Sequence, residues 1–288
     1  MAVTKRQKTL SHGRPPITKI RERMSSQQSR AIIRSHHRLH KQHAAALAKG
    51  DTIAADEIQK AIKANGGLKL YQAASKQGQS KDRGGDSSIL LVEWLRDANV
   101  LLPRGEIGDP ISPYRLLEVG ALSTKNEISK FPRLIDVTRI DLNSQGPGIE
   151  QQDFMERPLP ASANETFDII SLSLVLNYVP EPVGRGEMLK RITQFLRPLT
   201  VRHGDSSPVL PALFLVLPLP CVENSRYLDD DLLLRILYSL GFTLNKRKST
   251  SKLCYYLFTM TREDNRTTFK KQKIRDGASM NNFCIVVE

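Results

Sequence analysis

Residues 115–144 read RLLEVGALSTKNEISKFPRLIDVTRIDLNS. An apolar run ends in an acidic residue and a glycine. A gap follows, and a second apolar run ends in aspartate. Short apolar runs bounded by turn residues are the pattern of strands buried on both faces. The stretch therefore reads as strand, connection, strand, with Gly120 closing the first strand and Asp141 closing the second. The same grammar continues downstream. Further strands are expected at FDIISLSLVL, ALFLVLPLP, KLCYYLFTM and NFCIVVE, with helical patterns at GEMLKRITQFL and DDLLLRILYSLGF between them. The connection STKNEISKF reads as a helix or a loop. Strands alternating with helices predict an α/β fold with a mostly parallel, doubly wound sheet. The last two strands are joined by a charged, helix-poor stretch, residues 261–279. That spacing favours an antiparallel hairpin at the sheet edge.

Upstream the grammar is helical. Residues 29–48 read as a basic helix. Asp51 or Thr52 can cap a second helix, TIAADEIQKAIKA, which Asn65-Gly66-Gly67 would end. LKLYQAASKQGQ and a Gly/Ser loop, SKDRGGDSS, follow. SILLVEWLRDANVL, with the only Trp at position 94, has apolar residues at helical spacing. The expected organisation is a disordered basic tail at 1–28, a helical region at 29–110 and an α/β domain at 111–288.

Charge narrows the partners. The 43 Lys and Arg exceed the 30 Asp and Glu by 13 in a chain of 288 residues. Between residues 1 and 49 the cations at 5, 6, 8, 14, 19, 21, 23, 30, 34, 38, 41 and 49 face Glu22 alone. A second basic block spans residues 246–275. Such an excess favours an anionic partner, nucleic acid or an acidic surface, and the arm suits phosphate contacts. A nuclear-import signal at KRQK, residues 5–8, is an alternative and compatible use of the arm. The N-terminus has no apolar stretch of the secretory kind. The longest apolar run, residues 209–222, is too short to span a bilayer and carries three prolines. Cys221, Cys254 and Cys284 form no C-x-x-C pair and read as buried free thiols of an intracellular protein. His12, His36, His37, His40 and His43 cluster without Cys or acidic partners, so no metal site is expected.

In a doubly wound sheet, ligands bind beyond the carboxyl ends of the strands where strand order reverses. The candidate site is therefore read from the residues that follow each strand. Glu118-Val119-Gly120 ends the first strand, and the glycine permits close backbone approach. Asp141 lies 21 positions after Gly120, the spacing at which a carboxylate accepts hydrogen bonds from ribose hydroxyls. Asp153 is placed to bind an exocyclic amine, and Phe154 to lie beside an adenine ring. After the fourth predicted segment come Asn177-Tyr178-Val179-Pro180. Ala121 and Leu122 stand where a pyrophosphate loop has more glycine. A dinucleotide is thereby disfavoured relative to a ligand without phosphates, such as S-adenosylmethionine. An ordinary strand–helix–strand unit without a ligand accounts for the same spacing.

LLEVGALSTKN, RIDLNS, QQDFMERPLP, FDIISLSLVLNYVPEPVGRGEML and LFLVLPLPCVENSRY, in this order, resemble the fungal nucleolar large-subunit (25S) rRNA adenine-N1 methyltransferase family. GGLKLYQAASKQGQSKDRGGDSS is similar to the helical lead-in of that family, so the resemblance covers residues 66–288. It implies a Rossmann-like class I methyltransferase domain using S-adenosylmethionine. It also implies large-subunit rRNA or a pre-ribosome as partner, and residence in the nucleus and nucleolus. On matching positions, Gly120 and Asp141 become the expected cofactor contacts and Asp153 and Phe154 the adenine-proximal pair; Glu118, at the end of the first strand, completes the expected cofactor residues. Asn177 and Tyr178 become the expected catalytic pair, the first on the Watson–Crick edge of the base and the second stacked on its ring. The alternative for that pair is structural, with Asn177 capping a turn and Tyr178 packing in the core. Lys81 and Arg83 either close over the cofactor or belong to a solvated linker. Two other functions stay open at this point: an S-adenosylmethionine sensor for a signalling partner, and a catalytically silent assembly scaffold.

Overall fold

The computed structural model describes residues 24–78, 85–102, 112–144, 146–198, 208–261 and 267–288. Most of the expected basic tail, together with Lys81 and Arg83, lies outside the described residues.

Three helices come first: α1 (Ser26–Ala48), α2 (Thr52–Ala64) and α3 (Gly67–Gly78). α1 starts three residues before the expected helix because Ser25 and Gln28 form a capping box. The Gln28 N–H donates to Ser25 Oγ at 3.0 Å, and the Ser25 N–H donates to Gln28 Oε1 at 2.7 Å. Asp51 caps α2 by accepting the Ala54 N–H at 3.0 Å. α2 ends at Asn65, and Gly66, at φ +83°, turns the chain into α3. Leu39 and Ala46 of α1, Ala55 and Ile62 of α2 and Ala74 of α3 are buried, which makes these helices one packed unit. α4 (Ser88–Asp97) is different. Its Leu91, Val92, Trp94 and Leu95 pack on the sheet, with Trp94 6.0 Å from Phe214.

The sheet has seven strands: β1 (Tyr114–Val119), β2 (Ile135–Asp141), β3 (Glu150–Gln151), β4 (Ile169–Ser173), β5 (Ala212–Pro218), β6 (Phe242–Ser249) and β7 (Leu253–Met260). Their order is β3-β2-β1-β4-β5-β7-β6. The first five strands pair in parallel, while β7 is antiparallel to both β5 and β6. Leu117 of β1 pairs with Thr138 of β2 and with Ile170 of β4, which places β1 mid-sheet. Alternation divides the core. Leu117, Val119, Ile170 and Leu172 face α5 (Pro182–Phe195) and α7 (Asp230–Ser239), while Tyr114, Leu116 and Ile169 face α4. The short α6 (Pro220–Glu223) follows β5. Fully burying each Leu or Ile contributes about 1.5–3 kcal/mol, so both covered faces are needed to hold the sheet.

Three sequence expectations are corrected. The antiparallel edge hairpin exists, but its strands are β6 and β7, joined across residues 250–252, and NFCIVVE is not its second strand. β6, FTLNKRKS, is an exposed edge strand, and an edge strand protected by charge lacks the apolar signature of a strand. Residues 282–288 instead run back over α5, with one bridge between Val287 and Phe269. Gly186 of α5 permits this, because a Cβ there would overlap the Val286 carbonyl. The connection between β1 and β2 is neither a full helix nor irregular loop. It contains a single 3-10 turn, Glu127–Lys130.

At the amino end of β4, buried Asp168 accepts from the Arg197 guanidinium at 2.6 and 3.2 Å and from the Arg115 N–H at 2.9 Å. This ion pair ties β1, β4 and the segment after α5 at the end of the sheet opposite the candidate site.

Candidate functional site

Strand order reverses between β1 and β4, whose neighbours β2 and β5 lie on opposite sides. The crevice at their carboxyl ends is thus the topological switch point. Gly120 leaves β1 at φ +76°, and its N–H donates to Ile140 O at 2.8 Å. A Cβ at this position would come closer than 3.0 Å to Val175 Cγ2. The positive φ and the close approach both require glycine. Opposite, Leu174 leaves β4 at φ +58°, an uncommon conformation for a bulky residue, and its N–H is held by Val216 O at 2.9 Å. Strained backbone of this kind collects at functional sites. It delivers the 3-10 turn Leu176–Tyr178, which carries the two expected catalytic residues.

Glu118 points to the α4 face. Its carboxylate accepts from Asn126 Nδ2 at 2.6 Å and pairs with Arg139 Nε at 3.3 Å. The ion pair lacks hydrogen-bond alignment, which leaves Glu118 Oε2 and Arg139 Nε without hydrogen-bond partners among the described residues. Burial pushes the carboxyl up to about 7, against the opposing pull of Arg139 and with added repulsion from Asp86. Asp86 itself accepts from the Ser88 N–H at 2.9 Å and from the Glu127 backbone. Ser87 Oγ meets Ser173 Oγ at 2.8 Å. The lead into α4 is thereby fixed at the ends of β1 and β4. Asp86, Ser87, Ser173 and Val175 were not singled out in the sequence. D-S-S before an apolar run signals a helix start, but its contacts 41 and 86 positions away leave no local trace.

Asp141 ends β2. Its Oδ1 accepts the Asn143 N–H at 2.8 Å, and no hydrogen bond engages its Oδ2 among the described residues. Burial raises its carboxyl above the usual range, opposed by that backbone bond. The Gln152 N–H donates to Asp141 O at 2.9 Å, which ties the Asp153 turn to the end of β2. Asp153 Oδ1 accepts from the Met155 N–H at 2.7 Å. The Phe154 ring lies in the core beneath α5, 5.2 Å from Phe195, at 3% exposure. Tyr178 is half-buried, with the Tyr71 ring edge-on at 6.0 Å, and burial raises its phenol above the ordinary tyrosine range. Asn177 Oδ1 is buried and has no hydrogen-bond partner among the described residues. A buried acceptor left unpaired costs about 1–3 kcal/mol, so an incoming N–H donor would be favoured there.

The crevice also suits one ligand class over another. The β1–β2 connection has no α-helix, so no helix N-terminus aims at the switch point from that connection. Phosphates are ordinarily held by such a terminus. Two carboxylates, Glu118 and Asp141, stand there instead, and they suit a cationic ligand bearing ribose hydroxyls. Two other hollows, of about 490 and 250 Å³, lie between α7 and β6 and among α1, α2 and Gly67. Topology and side-chain chemistry, not hollow size, single out the crevice. No group of three metal-ligating side chains occurs among the described residues, and no described helix is long and apolar enough to cross a membrane. All three cysteines are free and buried.

Residues 56–285 match the family model described as 25S rRNA (adenine(2142)-N(1))-methyltransferase, Bmt2. The 25S rRNA (adenine(2142)-N(1))-methyltransferase of Saccharomyces cerevisiae is 40% identical over 224 residues, covering 77% of this chain and 60% of that protein. The 25S rRNA adenine-N(1) methyltransferase of Schizosaccharomyces pombe is 38% identical over 259 residues, covering 88% of this chain and 89% of that protein. The chain thus spans about three fifths of the length of the first relative and nearly all of the second.

Proposed function

The chain belongs to the 25S rRNA (adenine(2142)-N(1))-methyltransferase family, Bmt2, and on that premise we propose that it methylates N1 of an adenine in large-subunit rRNA, using S-adenosylmethionine. The observation that carries the site assignment is Asn177 Oδ1, a buried acceptor without a hydrogen-bond partner among the described residues, next to Tyr178 on the turn at the switch point. Adenine offers a matching donor in its 6-amino group. Gly120, Asp141 and Glu118 would hold the cofactor: a close-approach turn, a carboxylate for the ribose hydroxyls and a buried acid near positive charge. When bound, S-adenosylmethionine supplies an electrophilic methyl group on sulfonium sulfur.

Adenine N1 carries an in-plane lone pair and no proton at neutral pH. That lone pair would take the methyl group supplied by bound S-adenosylmethionine, leaving a neutral thioether and a base that carries the positive charge. No strong general base is required. The protein's task is to extrude the base, orient it and exclude water. Asn177 fixes the amino edge and Tyr178 supports the ring. Asp153 and Phe154 support the adenosine end of the cofactor through the turn they build, with the Phe154 ring anchoring that turn in the core. Exposed Arg34 and Arg38 on α1 continue the basic arm and suit the phosphates of an rRNA or pre-ribosome. The arm and the KRQK motif support a nuclear, nucleolar location.

The test is methyl transfer from labelled S-adenosylmethionine to unmodified large-subunit rRNA, followed by nucleoside mass spectrometry. Label in 1-methyladenosine, lost in Asp141→Ala, is expected. Cofactor binding without any transfer would point to a sensor or scaffold and overturn the enzymatic reading.

A further inference from the structure

Four aromatic side chains from three separate elements stand in a row at the candidate base site. His36 of α1 stacks on Tyr71 of α3, with centroids 4.3 Å apart and planes 16° off parallel. Tyr71 meets Tyr178 edge-on, at 6.0 Å and 90°. His40, one turn beyond His36, closes the row at 4.3 Å. Here every ring has a polar tip, and His36, Tyr71 and Tyr178 are each only partly buried.

We infer that Tyr71, backed by His36, is a positioning residue for the target base. It sets the plane of the Tyr178 ring against which the adenine is held while Asn177 takes the amino edge. The inference rests on the adenine-methylating reading above. Methylation at N1 turns a neutral base into a cation, and an uncharged aromatic wall favours that change through its ring faces. His36 keeps the wall uncharged: desolvation, then the neighbouring charge of His40, brings it down to about 4. Arg34 and Arg38 lie on the same helix within a turn of His36 and are exposed. The helix that would grip RNA phosphates therefore also carries the backing of the base wall. Energy from remote phosphate contacts would thus be spent on placing the reacting base.

The test uses the full chain and unmodified large-subunit rRNA. For Tyr71→Ala, the expected result is a kcat about tenfold to a hundredfold lower, the scale at which misplaced reacting groups lose rate. Cofactor affinity, RNA KM and Tm should stay near wild type. Tyr71→Phe keeps the ring edge and should recover most of the rate. A Tyr71→Ala enzyme with wild-type kcat would overturn the inference while leaving the adenine-methylating reading intact. A loss of kcat matched by equal losses in Tyr71→Phe and in Tm would also overturn it, because it would mark a merely structural contact. A wild-type chain that transfers no methyl to rRNA would overturn both.

Discussion

Gly120→Ala should be costly, and Val175→Ala should partly rescue it. At φ +76° an alanine pays about 1–2 kcal/mol of left-handed backbone strain. Its Cβ would also lie closer than 3.0 Å to Val175 Cγ2, an overpacking that costs about 1–3 kcal/mol. The single variant should therefore lose about 2–5 kcal/mol. The same Cβ stands 3.8 Å from Val175 Cβ, an ordinary contact. Truncating Val175 alone, a half-buried side chain, should cost about 1 kcal/mol. The double variant keeps the strain and loses the overlap, so the cycle should show a favourable coupling of about 1–3 kcal/mol. Urea denaturation of the wild type, both single variants and the double variant measures it, with cofactor titration in parallel. Effects additive to within about 0.5 kcal/mol would refute the claim that the ends of β1 and β4 are locked together at this point.

Asp141→Ala should weaken S-adenosylmethionine binding by roughly tenfold to a hundredfold, the worth of hydrogen bonds to a charged acceptor, with little change in Tm; calorimetric titration reads both. Burial lifts Glu118 from 4.5 to about 7, so its contribution to stability is full below pH 4.5 and is lost as pH rises through 7. A cationic ligand prefers the ionised form. Cofactor affinity should thus be about tenfold higher at pH 8 than at pH 6, the ratio of ionised fractions, and flat across that range in Glu118→Gln. Asp168→Ala strands Arg197 and should cost about 3–5 kcal/mol in chemical denaturation, far from the site. Replacing Arg34, Arg38 and Lys49 with Gln should lower the salt slope of RNA binding by roughly 2–3, with folding retained because all three are exposed; an unchanged slope would remove α1 from the RNA contact surface.

The parallel half of the sheet was legible because buried strands announce themselves. YRLLEV, IISLS and ALFLVLP are apolar on both faces, as central parallel strands must be. β6 was missed for the opposite reason, since most of it is exposed to water and its second half reads NKRKS. NFCIVVE is apolar because it is buried against α5, and burial alone does not make a strand. At the site, Gly120 and Asp141 stood out by spacing, and the switch point places each at the end of its strand. What composition and spacing could not reveal was long-range. Tyr71 lies 107 positions before Tyr178, and nothing local in LKLYQAAS foretells their contact. Likewise, Asp86 carries a helix-start signature that says nothing of its repulsion of Glu118.

The short connection between β1 and β2 has a consequence for selectivity inside a cell. ATP shares its adenosine with S-adenosylmethionine, so recognition of base and ribose cannot separate the two. A triphosphate entering this crevice would find no helix terminus from that connection to receive it, and the Asp141 carboxylate to repel it. The missing helix would then act as a filter: discrimination between two adenosine ligands that differ mainly in the charge of their tails would be set by what the loop leaves out.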